Sequence, residues 1–276
     1  MRVCLMIEGQ EGVTWDQWRA LATAAEQHGF DALFRSDHYQ SLDGTAPGGS
    51  LDAWATINAL AALTSTIRLG TLVSPATFRH PSTLAREVVT ADHVSCGRVE
   101  LGLGAGWHEG EHRSHGFPFD SVRDRFDRLA EQLEIVHRSW TDDAPFDFDG
   151  RFYRLQRADP LPKPTGRKPN LIVGGSARPR GAALAARWAD EYNTVFASPQ
   201  ECRERREAIA AACREQGREP IPLSVMTRLE GEPPEITDLL NEYRDAGVER
   251  IMLQHLHHDD LDTVERVGRE VIPAVS

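Results

Sequence analysis

Short apolar runs alternate with amphipathic stretches eight times along the 276 residues, and this alternation constrains the fold more than any other feature. The runs lack a strict period-two pattern of polarity, as is typical of parallel strands covered on both faces. Eight such units in a chain of this length favour one (β/α)8 barrel over residues 1–276, with a doubly wound open sheet as the alternative. The predicted strands span residues 3–7, 32–35, 67–74, 98–104, 170–173, 192–196, 222–226 and 250–254.

The stretches between these runs show the 3.6-residue period of helices packed on a sheet. In the first of them, Trp18, Ala22 and Ala25 fall on one face, Thr14 is a suitable N-cap and Gly29 a suitable C-terminal stop. The fourth pattern does not begin until about residue 120. The other predicted helices span residues 52–64, 81–96, 179–189, 199–216, 235–246 and 259–270.

Residues 141–169 interrupt this rhythm between the fourth and fifth units. Asp149 and Gly150 lie between aromatic-rich flanks, which indicates a β-hairpin. Four prolines follow between residues 160 and 169 and forbid a helix there. We expect an insertion that is long enough to cover a pocket, with a passive surface loop as the alternative.

Charge and composition exclude several classes of protein. The formal net charge is -11 and the basic residues are scattered, which argues against a nucleic-acid surface. The four cysteines form no CxxC pair and no zinc spacing, which is typical of reduced thiols in a cytoplasmic protein. No leader-like segment is recognisable and no apolar run approaches the roughly 20 residues of a membrane helix. The sequence therefore predicts a cytoplasmic protein that binds neither nucleic acid nor membrane.

Polar residues follow the second and third predicted strands, at the end of a barrel where catalytic groups lie. Asp37 and His38 end the second strand, and an imidazole that titrates near neutral pH suits acid–base chemistry. Ser74 ends the third strand after Val73 and is a candidate hydrogen-bond donor to a ligand. The alternatives are a polar pair that simply terminates a strand and ordinary turn chemistry at the serine.

The fourth strand carries glycines at alternate positions, Gly102, Gly104 and Gly106, with Trp107 next. Without side-chain bulk, this strand end would let a flat ring lie against the backbone. A dinucleotide-binding motif would need GxGxxG to open a helix after the first strand. We reject that interpretation because the third spacing is wrong and no helical pattern follows directly.

The segment from His108 to His112 matches the HExxH zinc pattern, in which Glu109 would act as general base. The match follows a glycine-rich strand end and contains Gly110, so a chance match in a loop is the favoured interpretation. Zinc-dependent hydrolysis remains an alternative function, and no metal ligand is assigned.

The fifth strand ends in Gly174, Gly175 and Ser176, shortly before Pro179. Glycines, a hydroxyl and the free N–H groups of a helix start together form a phosphate cradle. Arg178 or Arg180 would add positive charge. The alternative is an ordinary glycine-bearing βα turn.

Several of these motifs together resemble one family, the luciferase-like monooxygenases, and within it the branch that depends on the deazaflavin coenzyme F420. The fourth-strand signature is the most specific part of the resemblance, which extends from residue 3 to about residue 255. It comprises residues 102–107 (GLGAGW), 111–112 (EH) and 116–119 (GFPF). Supporting segments are 36–38 (SDH), 149–153 (DGRFY), 173–176 (VGGS) and 188–193 (WADEYN).

The resemblance implies a flavin-like ring at the carboxyl ends of the strands, with His38 beside it to supply or remove a proton. Asp37 would bond a polar edge of the cofactor or set the surroundings of the imidazole. Some relatives place a glutamate just after the fourth-strand glycines as proton donor. Trp107 stands there in this chain, and we expect it to wall the pocket. The residues implied to contact the cofactor are Asp37, Val73, Ser74, Gly104, Ala105, Gly106, Trp107, Gly174, Gly175 and Ser176, with a non-proline cis peptide expected around Val73 and Ser74.

The predicted function is hydride transfer between coenzyme F420 and a small organic substrate, in a direction that the sequence leaves open. An FMN-dependent monooxygenase with a partner reductase is the nearest alternative, since both cofactors carry a tricyclic ring and a phosphate. A non-catalytic ligand carrier is a third alternative. Relatives are often dimers, so the resemblance also makes a homodimer an expectation.

Overall fold

Eight parallel strands close into a barrel in the computed structural model, which describes residues 1–42, 44 and 49–275. The predicted barrel is therefore confirmed, and the doubly wound sheet is wrong because the first strand also pairs with the last. In order around the barrel the strands are β1 (Arg2–Ile7), β2 (Ala32–Arg35), β3 (Arg68–Pro75), β4 (Val99–Gly104), β7 (Asn170–Gly174), β8 (Glu191–Val195), β9 (Leu223–Arg228) and β10 (Arg250–His255). An antiparallel hairpin of β5 (Phe146–Asp149) and β6 (Arg154–Ala158) interrupts the series.

Helices surround the barrel as predicted, with one addition. They are α1 (Trp15–Gln27), α2 (Ala53–Leu63), α3 (Pro81–Ser95), α4 (Glu109–His115), α5 (Val122–Thr141), α6 (Pro179–Trp188), α7 (Pro199–Glu215), α8 (Pro233–Asp245), α9 (Leu261–Arg266) and α10 (Ile272–Val275), with a π-helical turn at Val267–Val271. Thr14 caps α1 as expected, in a reciprocal capping box with Gln17. The expectation that no helix begins between the fourth strand and about residue 120 is wrong, because α4 forms there. Within the described ranges, no helix combines the length and the apolar character that crossing a membrane requires.

The barrel interior is layered along its axis. Inward-facing side chains such as Met6, Phe34 and Met252 form an apolar middle layer. Below it, at the amino ends of the strands, Arg250 bonds Glu100 at 2.7 and 3.0 Å and Glu191 at 3.3 Å, all fully or almost fully buried. Buried charges are tolerated only when they are paired, and Arg250 supplies a partner to both carboxylates. Charged side chains can therefore fill the lower end of the barrel.

Val73 closes the other end of the apolar layer. The Leu72–Val73 peptide is cis, which confirms the expected position of a non-proline cis bond. A Cβ built on Gly104 would lie 2.7 Å from Val73 Cγ2, and one on Gly174 would lie 3.2 Å from Val73 Cγ1. The glycines of β4 and β7 therefore make room for Val73. The Val73 side chain therefore lies over Gly104 and Gly174, and the expected contact of a ring with the glycines at these strand ends stays a prediction.

The predicted hairpin forms within the insertion and packs on the flank of the barrel. Phe146 and Tyr153 bury against Ile135 of α5. The Glu131 carboxylate accepts the backbone N–H groups of residues 151, 152 and 153. The Tyr153 hydroxyl donates to the carbonyl of Ala76, just beyond β3, at 3.3 Å. The insertion is thus held on α5 and the β3 loop, and its role as a pocket cover stays a prediction.

We predict that Gly102→Ala destabilises the barrel by about 1–3 kcal/mol, the usual cost of overpacking a close-packed interior. The new Cβ would collide with the carbonyl oxygen of Thr71 and lie 2.9 Å from Val73 Cγ1. The measurement is urea unfolding followed by circular dichroism.

Gly181→Ala in α6 is the matched control, since its new Cβ would meet nothing nearer than 3.6 Å. It should leave stability unchanged or raise it by about 0.5–1 kcal/mol through helix propensity. Equal effects of the two substitutions would contradict the packing argument.

Candidate active site

The His38 imidazole and the Glu111 carboxylate form a hydrogen-bonded pair at the mouth of the barrel. His38 follows β2, and its Nδ1–H donates to Glu111 Oε2 at 2.7 Å. The other carboxylate oxygen accepts the backbone N–H of Tyr39. Glu111 is fully buried, whereas the His38 side chain is 13% exposed. Nδ1 is therefore committed to Glu111, and Nε2 has no hydrogen-bond partner in the part of the chain that the structure describes.

The surroundings of this pair favour a charged imidazole. Burial lowers the pKa of His38, but the hydrogen bond and the charge of Glu111 outweigh it, with further help from Glu8 and Asp37. The pKa of His38 consequently lies above its usual value. Burial also raises the pKa of Glu111, and its bonds to His38 and Tyr39 more than reverse this, so Glu111 is ionised. The pair is suited to hold or release a proton near neutral pH.

Asp37 is held in a separate buried network. It is 1% exposed and accepts a hydrogen bond from the Ser74 hydroxyl at 2.6 Å. Arg79 donates to the same carboxylate and also to Asp52 and to the hydroxyl of Tyr39. Asp37 and Ser74 therefore fix the ends of β2 and β3 against each other. This geometry favours a positioning role, and a direct contact of either residue with a ligand stays a prediction.

Trp107 lies beside His38 at the barrel mouth, and its role as a pocket wall stays a prediction. Its side chain is 62% exposed, and its ring centroid lies 5.8 Å from that of His38 in an edge-on arrangement. His108 packs edge-on against Trp107 at 5.2 Å. The preceding Ala105 packs against the outer core, and Gly106 adopts a φ of 78°, which favours glycine. This turn sends the chain from β4 into α4 and brings Trp107 over the mouth.

The HExxH segment is helical, so its interpretation as a loop is wrong. His108 caps α4, with its Nδ1 accepting the N–H of Glu111 at 3.2 Å. The His112 Nδ1–H donates to the carbonyl of His108 at 2.8 Å, and its Nε2 accepts from the Thr77 hydroxyl at 2.6 Å. Both ring nitrogens of His112 are thus used by the protein, which argues against zinc. Within the described ranges no three potential ligands form a metal-binding group.

The loop after β7 presents exposed polar groups at the start of α6. Gly175 and Ser176 are exposed, and no side chain caps the helix at its N-cap residue, Arg178. Arg178 forms no ion pair within the described ranges, whereas Arg180 is bound by Asp127 and donates to a carbonyl. Of the two candidate arginines, only Arg178 therefore has a free guanidinium. Open helical N–H groups beside a free cation fit a phosphate.

Three functional candidates were not singled out from the sequence. Arg79 lies 42 residues from its partner Asp37, and Glu111 lies 73 residues from His38. Glu8, which follows β1, is 7% exposed and accepts hydrogen bonds from two glutamine side chains. No local spacing predicts such contacts. A charged residue directly after a strand, as with Glu8, is the one signal that sequence reading could have used.

Comparison with known proteins identifies relatives over most of the chain. The sequence model of the luciferase-like monooxygenases matches residues 2–230. An F420-dependent glucose-6-phosphate dehydrogenase of Nakamurella multipartita is 36% identical over 178 residues, which cover 63% of this chain and 50% of that one. An F420-dependent hydroxymycolic acid dehydrogenase of Mycobacterium tuberculosis is 31% identical over 217 residues, 78% of this chain and 58% of that one. The chain thus spans about half of the length of these two curated relatives.

Solved structures share the fold over their full length. An F420-dependent secondary alcohol dehydrogenase in complex with an F420-acetone adduct superposes with a TM-score of 0.88 at 20% identity, covering 100% of this chain and 99% of that one. The FMN-bound oxygenating constituent of 3,6-diketocamphane monooxygenase from Pseudomonas putida gives 0.81 at 18% identity, with 100% and 99% coverage. At these identities the similarity establishes the fold alone.

We predict that Glu111→Gln lowers the pKa of His38, because an amide neither carries charge nor accepts the imidazolium proton as strongly. The measurement is an NMR titration of the His38 ring protons. In the wild type, the stability contributed by the raised pKa of His38 is full below the unfolded histidine pKa of about 6.5, as long as Glu111 stays ionised, and is lost as pH rises through the higher folded value. The variant should lose that pH dependence of stability.

Glu109→Gln is the control, because Glu109 lies on the same helix but pairs with the exposed Arg113. It should leave the His38 titration unchanged. An identical His38 pKa in Glu111→Gln and wild type would show that the carboxylate does not govern the imidazole.

Proposed function

The chain belongs to the luciferase-like monooxygenase family, and from this we propose that it is an oxidoreductase that exchanges hydride between coenzyme F420 and a small organic substrate. The curated relatives reported above are named as F420-dependent dehydrogenases, which supports this cofactor over FMN. The observation that carries the proposal is the His38–Glu111 pair beside Trp107, where an imidazole with one uncommitted nitrogen faces the mouth.

The residues at the mouth fit a planar ring with a phosphate tail. Gly175, Ser176 and the uncapped start of α6 would hold the phosphate, with Arg178 adding charge. Val73, which is half-buried above the apolar layer, offers a surface for the ring, and Trp107 offers an edge. When bound, the deazaflavin supplies the two-electron redox chemistry, and the protein supplies binding, orientation and the proton.

His38 is the residue we assign to the proton. Glu111 fixes its tautomer and orientation through Nδ1, so the proton moves at Nε2. In the reducing direction a protonated His38 donates to the substrate oxygen, and in the oxidising direction a neutral His38 accepts from the substrate hydroxyl. Asp37, held by Arg79 and Ser74, keeps the end of β2 in place. The homodimer expected from relatives stays a prediction.

We predict that His38→Ala lowers kcat by about 10²–10⁴-fold, the usual contribution of one general acid or base. Cofactor affinity should change little, because the phosphate site lies on β7 and α6. The measurements are the loss of the visible absorbance of oxidised F420 with a panel of alcohols, and a fluorescence titration for cofactor affinity. His93→Ala, in the last turn of α3, is the control. Unchanged turnover in His38→Ala would remove this residue from the mechanism.

The same titration separates the two candidate cofactors. Saturable binding of F420, with weaker binding of FMN, is expected. Tight FMN binding and oxygen consumption with a reductase would favour the monooxygenase, since a deazaflavin reacts poorly with oxygen.

We predict that Arg178→Ala weakens F420 binding roughly tenfold, the value of one charge-assisted hydrogen bond. The loss should shrink at high salt, which screens an exposed charge. Arg180→Ala is the matched control, since Asp127 already neutralises Arg180. Equal losses in the two variants would mean that the phosphate does not approach Arg178 in particular.

A further inference from the structure

Glu8 brings a carboxylate to the floor of the barrel mouth. Alternate residues of β1 face the barrel axis, and Cys4 and Met6 lie in its apolar inner layer. Glu8 continues this register directly after the strand and is 7% exposed. Gln254 continues the inward register of Met252 on the neighbouring β10 and bonds Glu8. The two side chains therefore form a polar layer on top of the apolar one.

Neutral donors hold this carboxylate in a fixed orientation. The Nε2–H groups of Gln254 and Gln10 donate to Glu8 Oε1 and Oε2 at 2.7 and 2.9 Å. The Gln10 carbonyl accepts the Ser36 hydroxyl, whose oxygen accepts the backbone N–H of Gly9 at 2.9 Å. Because its oxygen is used by Ser36, the Gln10 amide must turn its N–H groups toward Glu8. The network thus presents Glu8 as an acceptor.

No cationic side chain within the described ranges contacts this carboxylate directly. The other two buried carboxylates at the mouth have basic partners, Arg79 for Asp37 and His38 for Glu111. Within the described ranges, no nitrogen of Lys, Arg or His lies within 4.0 Å of the Glu8 carboxylate. A buried carboxylate without a cation is costly, and each oxygen retains a free lone pair. Such an arrangement is suited to a ligand that brings a donor.

The mouth also offers apolar surface for the rest of that ligand. Trp107, Phe196 and Leu256 follow β4, β8 and β10 and are 62%, 51% and 47% exposed. Hydrogen bonds run from Glu8 through Gln10 to Ser36, two residues before His38, so the carboxylate lies on the same side of the mouth as the group that handles the proton. Donor recognition and proton transfer would therefore occur side by side.

We propose that Glu8 accepts a hydrogen bond from a hydroxyl or amine group of the substrate and so selects substrates with an apolar body that carry such a donor. The inference rests on the proposed function, because it places the substrate beside His38 and the cofactor. Glu8 determines specificity in this arrangement, and the chemical step itself belongs to His38.

The test uses two ligands that differ in the donor, cyclohexanol and methoxycyclohexane. The protein is loaded with reduced F420, which cannot oxidise an alcohol, so binding is measured at equilibrium by saturation-transfer NMR. Wild type should bind the alcohol about tenfold or more tightly than the ether, the value of a hydrogen bond to a charged acceptor. Glu8→Gln should bring this ratio close to one and leave the affinity for F420 unchanged.

Glu207→Gln is the matched control, because it removes a carboxylate from the exposed face of α7. It should keep the wild-type ratio. Circular dichroism checks the fold of each variant. If Glu8→Gln does not fold, Glu8→Asp replaces it. This variant should also lose the preference for the alcohol over the ether, because the shorter side chain places the carboxylate farther from the hydroxyl.

The outcomes separate this inference from the proposed function. An unchanged ratio in the Glu8 variant overturns the inference alone, as does equal binding of the two ligands by wild type. A large loss of F420 affinity with an unchanged ratio would assign Glu8 to the cofactor ring and also overturn it. A wild type that binds no F420 contradicts the proposed function and this inference with it.

Discussion

The carboxylate of Glu111 joins α4 to the end of β2 at the barrel mouth. It accepts hydrogen bonds from His38 and Tyr39 at the end of β2, while it sits on α4, a helix of only seven residues. A helix so short is not stable alone and depends on tertiary contacts. Glu111 therefore orders α4, and α4 in turn fixes the imidazole. The remaining geometry of the mouth, including the position of Trp107, follows from this attachment.

The inward-facing side chains of the strands form three layers along the barrel axis, and each layer has a different chemical character. At the amino ends Arg250 pairs with Glu100 and Glu191, and Arg68 brings a second cation to Glu100, so these carboxylates are held in ion pairs. The middle layer is apolar. At the carboxyl ends the same register continues into Glu8 and Gln254, where the carboxylate has no cation. Glu8 thus differs from Glu100 and Glu191, which contact cations, and it lies at the end of the barrel where catalytic groups are found.

Much of this architecture could be predicted because it depends on local patterns. The eight strands are short apolar runs between helical periods, and the DG turn of the hairpin is a local signal. His38 was identifiable because it follows a strand. Glu111 and Arg79 were not, since their partners lie 73 and 42 residues away. Local reasoning also missed α4, whose sequence is polar throughout and whose stability comes from contacts with the loops after β2 and β3.

Opposite sides of the mouth carry groups of opposite charge, and under the proposed function this arrangement would orient a cofactor that carries a phosphate. β1 and β7 are four strands apart in a closed ring of eight, so they lie on opposite sides. The β1 side carries Glu8 without a cation, and the β7 side carries the free Arg178 and the open N-terminus of α6. A phosphate is therefore repelled from one side and attracted to the other. Under the proposed function, a ring attached to that phosphate would extend across the mouth toward His38.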